Sequence, residues 1–328
     1  MSFKLLIVRF SSIGDIVLTT PVMRCIHDQR PDIEIHYLTK KRFSAIIENN
    51  PYVNKVYSFE KKISYVIPAL KSENYDLIID LHKNLRSKYT IFSLKKPAFS
   101  FQKLNYEKWL MVNFKINRLP DKHIVDRYMQ TAESLGVVND GKGLDFFIQK
   151  DQEIDIITRF PSLSEGYTAF VIGGNHNTKI FPADMVATVS RSLQLPVVLL
   201  GGKEDVQRGN LIEDLSPGKV INTCGKLSLM ESASMVKQAS AVISNDTGLM
   251  HIAAAFNKPI VSVWGNTIPE FGMYPYLQNE TKSMIAEVKD LNCRPCSKLG
   301  YKECPLKHFN CMRLQNTDQI ASVVNHLE

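Results

Sequence analysis

Short apolar runs alternate with amphipathic stretches twice along the chain. In the first half, residues 5–9, 34–38, 55–59 and 77–80 have the length and composition of strands. Between them, 16–29, 41–49 and 64–73 carry apolar residues at helical spacing. In the second half, strands are expected at 168–172, 197–200, 220–222, 241–244 and 260–263, with helices at 183–193, 205–215, 229–239 and 248–256. The tail 317–327 follows an Asn-Thr cap signal with an apolar stripe, which predicts a last helix. Strands this apolar are covered on both faces, so each series predicts a parallel sheet between helices. Two series imply two α/β domains, each with a parallel sheet covered on both faces. The polar stretch 149–165 places their boundary, giving domains 1–160 and 161–328, with the final helix free to pack back on the first. A chain of 328 residues suits two domains of about 150.

Composition adds little to this until charge is located. Hydrophobic residues make up 44% and charged residues 22%, ordinary for a globular protein. No apolar run approaches the roughly 18 residues that a membrane span needs. The N-terminal run from Leu5 to Phe10 is broken by Arg9 and lacks a following small-residue cleavage site, so it is read as a buried strand of a cytoplasmic protein. The net charge of +7 is concentrated. Between Lys83 and Arg127 stand eleven Lys or Arg against three acids, enough to attract an anionic glycolipid, an acidic membrane surface or nucleic acid. Within 104–115, apolar residues at 106, 109, 110 and 114 share one helical face, as core positions do; lysines alongside also suit a membrane surface.

Four turns carry candidate chemistry, each directly after an expected strand, the edge where open α/β sheets bind ligands. Ser11-Ser12-Ile13-Gly14-Asp15 offers small residues and one carboxylate, which is either functional or a helix cap. Gly173-Gly174 leads to Lys179, which could reach a phosphate or simply be solvated, and the segment is no P-loop. Gly201-Gly202-Lys203-Glu204-Asp205 offers an acid for a ribose diol or a helix start. Ser244-Asn245-Asp246-Thr247-Gly248 opens a small-residue helix whose free N–H groups can hold a diphosphate, with His251 further along either in the site or a satisfied core histidine. The absence of G-x-G-x-x-G disfavours a nicotinamide dehydrogenase, and no D-x-D triplet suggests a metal-held diphosphate.

Taken in order, RFSSIGDIVLTTP, GGNHNTKIFP, LLGGKED, SNDTGLMHIAAA and the tail CRPCSKLGYKECPLKHFNC resemble the lipopolysaccharide heptosyltransferases, glycosyltransferase family 9. The resemblance implies a GT-B fold, two Rossmann-like domains facing a cleft, and inverting transfer of heptose from ADP-heptose to a lipopolysaccharide core acceptor. It implies Asp15 as catalytic base, with Ser12, Gly14, Lys83, Arg86 and Lys88 on the acceptor side. On the donor side it implies Lys179 at the phosphates, Glu204 at the ribose, the amides of Thr247, Gly248 and Leu249 around the diphosphate, and Asp246 near the sugar. His251 is grouped with them. No catalytic cofactor is expected; the expected partners are the nucleotide sugar, an anionic glycolipid and the inner membrane surface, without nucleic acid. Another activated sugar, another surface glycolipid, or a non-catalytic nucleotide-binding module docked on a membrane are the alternatives.

Cys293, Cys296, Cys304 and Cys311 contain one tight C-x-x-C pair and two looser members. Four-cysteine zinc sites usually have two tight pairs, so a structural zinc is a partial match and reduced thiols packing a loop are the alternative.

Overall fold

The computed structural model describes residues 3–278 and 281–327. The chain forms two compact units, Met1–Lys103 with Lys122–Phe147, and Leu104–Asp121 with Ile148–Glu328.

The first unit holds strands β1 (Phe3–Val8), β2 (Ile33–Lys40), β3 (Lys55–Phe59), β4 (Leu77–Asp80) and β5 (Ala98–Ser100). Its helices are α1 (Ile13–Val17), α2 (Thr20–Gln29), α3 (Ala45–Glu48), α4 (Ile67–Ser72), α5 (Leu85–Leu94) and, after an excursion into the second unit, α7 (Ile124–Met129). All strands are parallel, in the order β3-β2-β1-β4-β5. Leu5 to Val8 are wholly buried because helices cover both faces of the sheet. The expected helix 16–29 is two helices. Thr19 and Thr20 hydroxyls donate to the carbonyls of Ile16 and Val17, and Pro21 lacks an N–H, so the chain restarts there.

The second unit holds α6 (Asn105–Phe114), α8 (Ile156–Arg159), α9 (Ala183–Ser192), α10 (Val206–Asp214), α11 (Leu229–Gln238), α12 (Gly248–Ala255), α13 (Asn310–Arg313) and α14 (Thr317–Leu327). Its strands are β6 (Thr168–Val171), β7 (Val197–Leu200), β8 (Val220–Asn222), β9 (Ala241–Asn245), β10 (Ile260–Trp264) and β11 (Ser283–Glu287). They too are parallel, in the order β11-β10-β9-β6-β7-β8.

The units part at Phe147, earlier than the expected boundary at 160, because 153–159 is tied to α11. Ile154 N–H donates to Ser234 Oγ at 2.8 Å, Gln238 donates to Ile154 O, and Arg159 pairs with Glu231. Residues 104–121 join the second unit through Lys115, which donates to Pro295 O at 2.8 Å, and Lys108, which lies over the Phe271 ring. On α6 only Leu110 is buried; Tyr106, Trp109 and Phe114 are exposed, so this face is not core. The final helix packs within the second unit: Ile320, Ala321 and Val324 enter its core, and Asn325 exchanges hydrogen bonds with α9 and the following Gln194. Among the described residues no helix is long and apolar enough to cross a membrane.

Candidate active site

Both sheets begin in the middle and grow outward, first to one side and then to the other. The chain therefore reverses between β1 and β4 in the first unit and between β6 and β9 in the second. At such a reversal the loops after neighbouring strands splay apart and leave a crevice at the strands' C-terminal ends. Asp15 stands in the helical turn after β1, Lys179 in the loop after β6 and Asp246 just after β9, beside these two points.

In the first unit, β1 runs on into Arg9 and the turn that starts α1. Ser12 is the helix N-cap and Asp15 stands at its third position, so Asp15 is not the cap itself. One Asp15 oxygen accepts from Ser12 N–H at 3.0 Å and Ser12 Oγ at 2.7 Å; the other pairs with Arg9 at 2.5 Å. Arg9 is fixed in turn by the carbonyls of Ser11 and Leu81 and by the Tyr128 hydroxyl. Burial opposes its charge, yet Asp15 and the surrounding phenols hold its pKa above the ordinary value. Asp15 is thus held by donors on both oxygens and is 22% exposed. Gly14 is buried within α1.

Across the crevice, β4 ends in Asp80, which accepts from His82 N–H, Lys83 N–H and Ser87 Oγ and so shapes the loop into α5. His82, absent from the sequence candidates, packs on Phe10. Burial, then Arg9 and Lys103, push its pKa down to about 3, and among the described residues its buried Nδ1 has no hydrogen-bond partner. It is a neutral imidazole beside Arg9. Lys40, at the end of β2, is also new: burial, then Arg42 and Arg86, pull its pKa below the usual amine value. Arg86 therefore belongs to a group of cations at this edge. Lys83 is tied to Phe101 O at 2.9 Å, and Lys88 is exposed on α5.

In the second unit, Lys179 pairs with Asp246 at 2.5 Å, with 17% and 12% of the side chains exposed. Thr267 Oγ1 donates to the same carboxylate oxygen at 3.0 Å. Asp246 directly follows β9 and does not cap α12; Thr247 is the N-cap, and among the described residues its buried hydroxyl has no hydrogen-bond partner. The amides of the first turn, from Gly248 and Leu249 on, open at the same edge, while His251 is buried in the body of the helix. Asn245 is a structural residue that the sequence did not single out. It accepts from Phe181 N–H and donates to the carbonyls of Ile172 and Gly173, locking the β6 loop to β9.

The β7 loop separates its two acids. Asp205 is buried, accepts from Gly202 N–H at 2.9 Å and pairs with Arg208 at 2.6 Å. Gly173 must be glycine beside it, since a Cβ there would stand 2.6 Å from Asp205 Oδ2. The helix-start role thus falls to Asp205. Glu204 is exposed, its carboxylate folded over Gly202, where a Cβ would meet it at 2.6 Å.

The cysteine-bearing segment braces this edge. Arg294 donates to the carbonyls of Gly265, Thr267 and Val288 and pairs with Glu287 at 2.7 Å. Tyr301 exchanges backbone and hydroxyl hydrogen bonds with Thr178, next to Lys179. All six cysteines are free thiols. Burial, then Cys293, push Cys296 up to about 11, and burial pushes Cys311 up to about 12. Among the described residues no three His, Cys, Asp or Glu side chains are gathered as metal ligands.

Residues 64–307 match the model of glycosyltransferase family 9 (heptosyltransferase), about three quarters of the chain. The chain belongs to glycosyltransferase family 9. It is therefore an enzyme that transfers a sugar. The lipopolysaccharide heptosyltransferase 1 of Campylobacter coli is 25% identical over 357 residues, covering 99% of this chain and 98% of that one. Among solved structures, a family 9 glycosyltransferase from Veillonella parvula superposes with a TM-score of 0.77 at 22% identity, covering 100% of this chain and 98% of that one. The ADP-heptose lipopolysaccharide heptosyltransferase II of E. coli superposes with a TM-score of 0.73 at 19% identity, covering 99% and 98%. The GT-B class of this family 9 glycosyltransferase, two Rossmann-like parallel-sheet domains, agrees with these neighbours.

Proposed function

We propose that this family 9 glycosyltransferase moves a heptose from ADP-heptose to a lipopolysaccharide core acceptor, with inversion at the anomeric carbon. The named relatives supply the donor and acceptor class. The observation that carries the reading is the anion seat at the second crevice: a mostly buried lysine beside an open helix N-terminus whose capping hydroxyl is idle.

In the transfer step, the acceptor hydroxyl oxygen bonds to the anomeric carbon as the bond to the diphosphate oxygen breaks. Asp15 takes the hydroxyl proton. Lys179 and the amides of Thr247, Gly248 and Leu249 meet the charge on the departing diphosphate, so the step needs no divalent metal. Glu204 accepts from the ribose hydroxyls. Asp246, released from Lys179, and His251 lie toward the sugar. Ser12 and Gly14 leave room for the acceptor, and Lys83, Arg86 and Lys88 attract its anionic groups, with the enzyme working peripherally at the cytoplasmic face of the inner membrane. Mass spectrometry of a core acceptor incubated with a panel of nucleotide sugars, with and without EDTA, tests this. Heptose addition from ADP-heptose that survives EDTA is expected. Addition of another sugar alone, or loss with EDTA reversed by magnesium, would overturn the donor or the metal-free step respectively.

A further inference from the structure

Helix α5 is built inside out. Its buried face carries Ser87, Thr90 and Leu94, and Ser87 Oγ donates to Asp80 at 2.6 Å, so polar groups there are spent on holding the fold. Its solvent face carries Leu85, Tyr89 and Phe92, 84%, 45% and 77% exposed. These stand at i, i+4 and i+7, one stripe along a helix about 15 Å long. Single exposed apolar residues are ordinary, whereas a continuous stripe on the outer face of a helix is not.

The charge around the stripe is one-sided. From Leu81 to Lys103 the chain has six Lys or Arg and no Asp or Glu. Lys88 and Lys95 are exposed on one flank of the stripe and Arg86 on the other, and among the described residues Lys88 and Lys95 have no carboxylate partner. An apolar crest with cations on its flanks suits a bilayer interface, where the crest enters the headgroup boundary and the cations stay level with the phosphates. A nucleic-acid surface would carry its cations on the crest instead.

We infer that the outer face of α5 docks on a membrane of anionic phospholipid. Leu85, Tyr89 and Phe92 insert, and Lys88 and Lys95 bind headgroup phosphates. This rests on the lipopolysaccharide acceptor proposed above, whose lipid end anchors it in the membrane. Docking would hold the enzyme at the surface where its acceptor is anchored.

Co-sedimentation of the full chain with vesicles tests the face without donor or acceptor. Binding to phosphatidylethanolamine vesicles containing phosphatidylglycerol, weakened by salt and absent with phosphatidylcholine alone, is expected. The double variant Tyr89→Ser with Phe92→Ser should lose at least about tenfold in vesicle affinity. Lys95→Glu should lose about tenfold. Both variants should keep their thermal midpoint and their rate on a deacylated, water-soluble core acceptor, but slow on the same acceptor embedded in vesicles. Vesicle binding unchanged by either variant, or no binding by the unaltered chain, would overturn the inference. A soluble acceptor that receives no heptose tells instead against the proposed function.

Discussion

At the end of the first sheet, a carboxylate on a helix meets an arginine that directly follows the preceding strand. At the end of the second, a lysine from a loop meets a carboxylate that directly follows a central strand, 67 residues away. The ion pairs look alike but are wired differently. Asp15 receives three donors from Arg9 and Ser12, all within its own turn, and Arg9 is itself pinned by Ser11, Leu81 and Tyr128. That crevice is built to keep one anion in place. Lys179 has Asp246 as its anion, beside an idle Thr247 hydroxyl and an open helix end. Under the proposed function that crevice exchanges one anion for another, an arriving diphosphate replacing Asp246 at the lysine. A fixed carboxylate suits proton transfer; an exchangeable one suits reversible donor binding.

The comparison breaks most visibly at Asp15. Asp15→Asn should lower turnover by about 10²–10⁴-fold, the usual worth of a positioned base. Asn keeps an acceptor for the Ser12 N–H but leaves the buried Arg9 without its carboxylate. A stability loss of about 1–3 kcal/mol should therefore accompany it, read as a lower thermal midpoint. Near-normal turnover with that same stability loss would make the pair purely structural.

The exchange idea is tested by Lys179→Ala, which should weaken binding of ADP roughly 10–150-fold by calorimetry. Part of that loss comes from an unpaired Asp246 facing the diphosphate. Adding Asp246→Asn should recover some affinity if Asp246 is the displaced anion, and a further loss would show that it helps to hold the donor. Thr247→Val should cost a smaller roughly 2–10-fold in ADP affinity, with no loss of stability, since its hydroxyl is idle in the folded chain. A lower thermal midpoint instead would mean the hydroxyl already serves the fold.

The smallest effect on activity belongs to a third pair, outside both crevices. Buried Arg24 donates to both oxygens of Asp140 and lowers its pKa to about 2. A depressed carboxylate stabilises the fold above its ordinary pKa and loses that contribution as pH falls, here from about 4 to 2. Asp140→Asn should therefore cost about 1–2 kcal/mol at neutral pH, converge with the unaltered chain near pH 2, and leave turnover unchanged. Urea unfolding across that pH window checks it; parallel curves would remove Asp140 from the account.

The central strands, the doubly wound pattern and the four ligand loops were legible in the sequence because each is a local signal, an apolar run followed by a small-residue turn. β5 and β11 were missed because they are short edge strands with few buried residues. Helix α5 lacks the usual outward polar face, so periodicity pointed nowhere. The placing of 104–121 depends on Lys115 and Lys108, and the bracing of the loop after β6 on Arg294 and Tyr301. Such contacts join distant residues one by one and leave no repeating pattern to read. Asp15 and Lys179 were both visible as residues. That Asp15 would be locked in its own turn, and Lys179 paired to Asp246, was not.

The division between a kept and an exchanged anion is tested most directly by titrating ADP, in the calorimeter, into Asp15→Asn and Lys179→Ala side by side with the unaltered chain. ADP should bind Asp15→Asn with unchanged affinity and Lys179→Ala at least about tenfold more weakly. Equal weakening in the two variants, or none in Lys179→Ala, would contradict it.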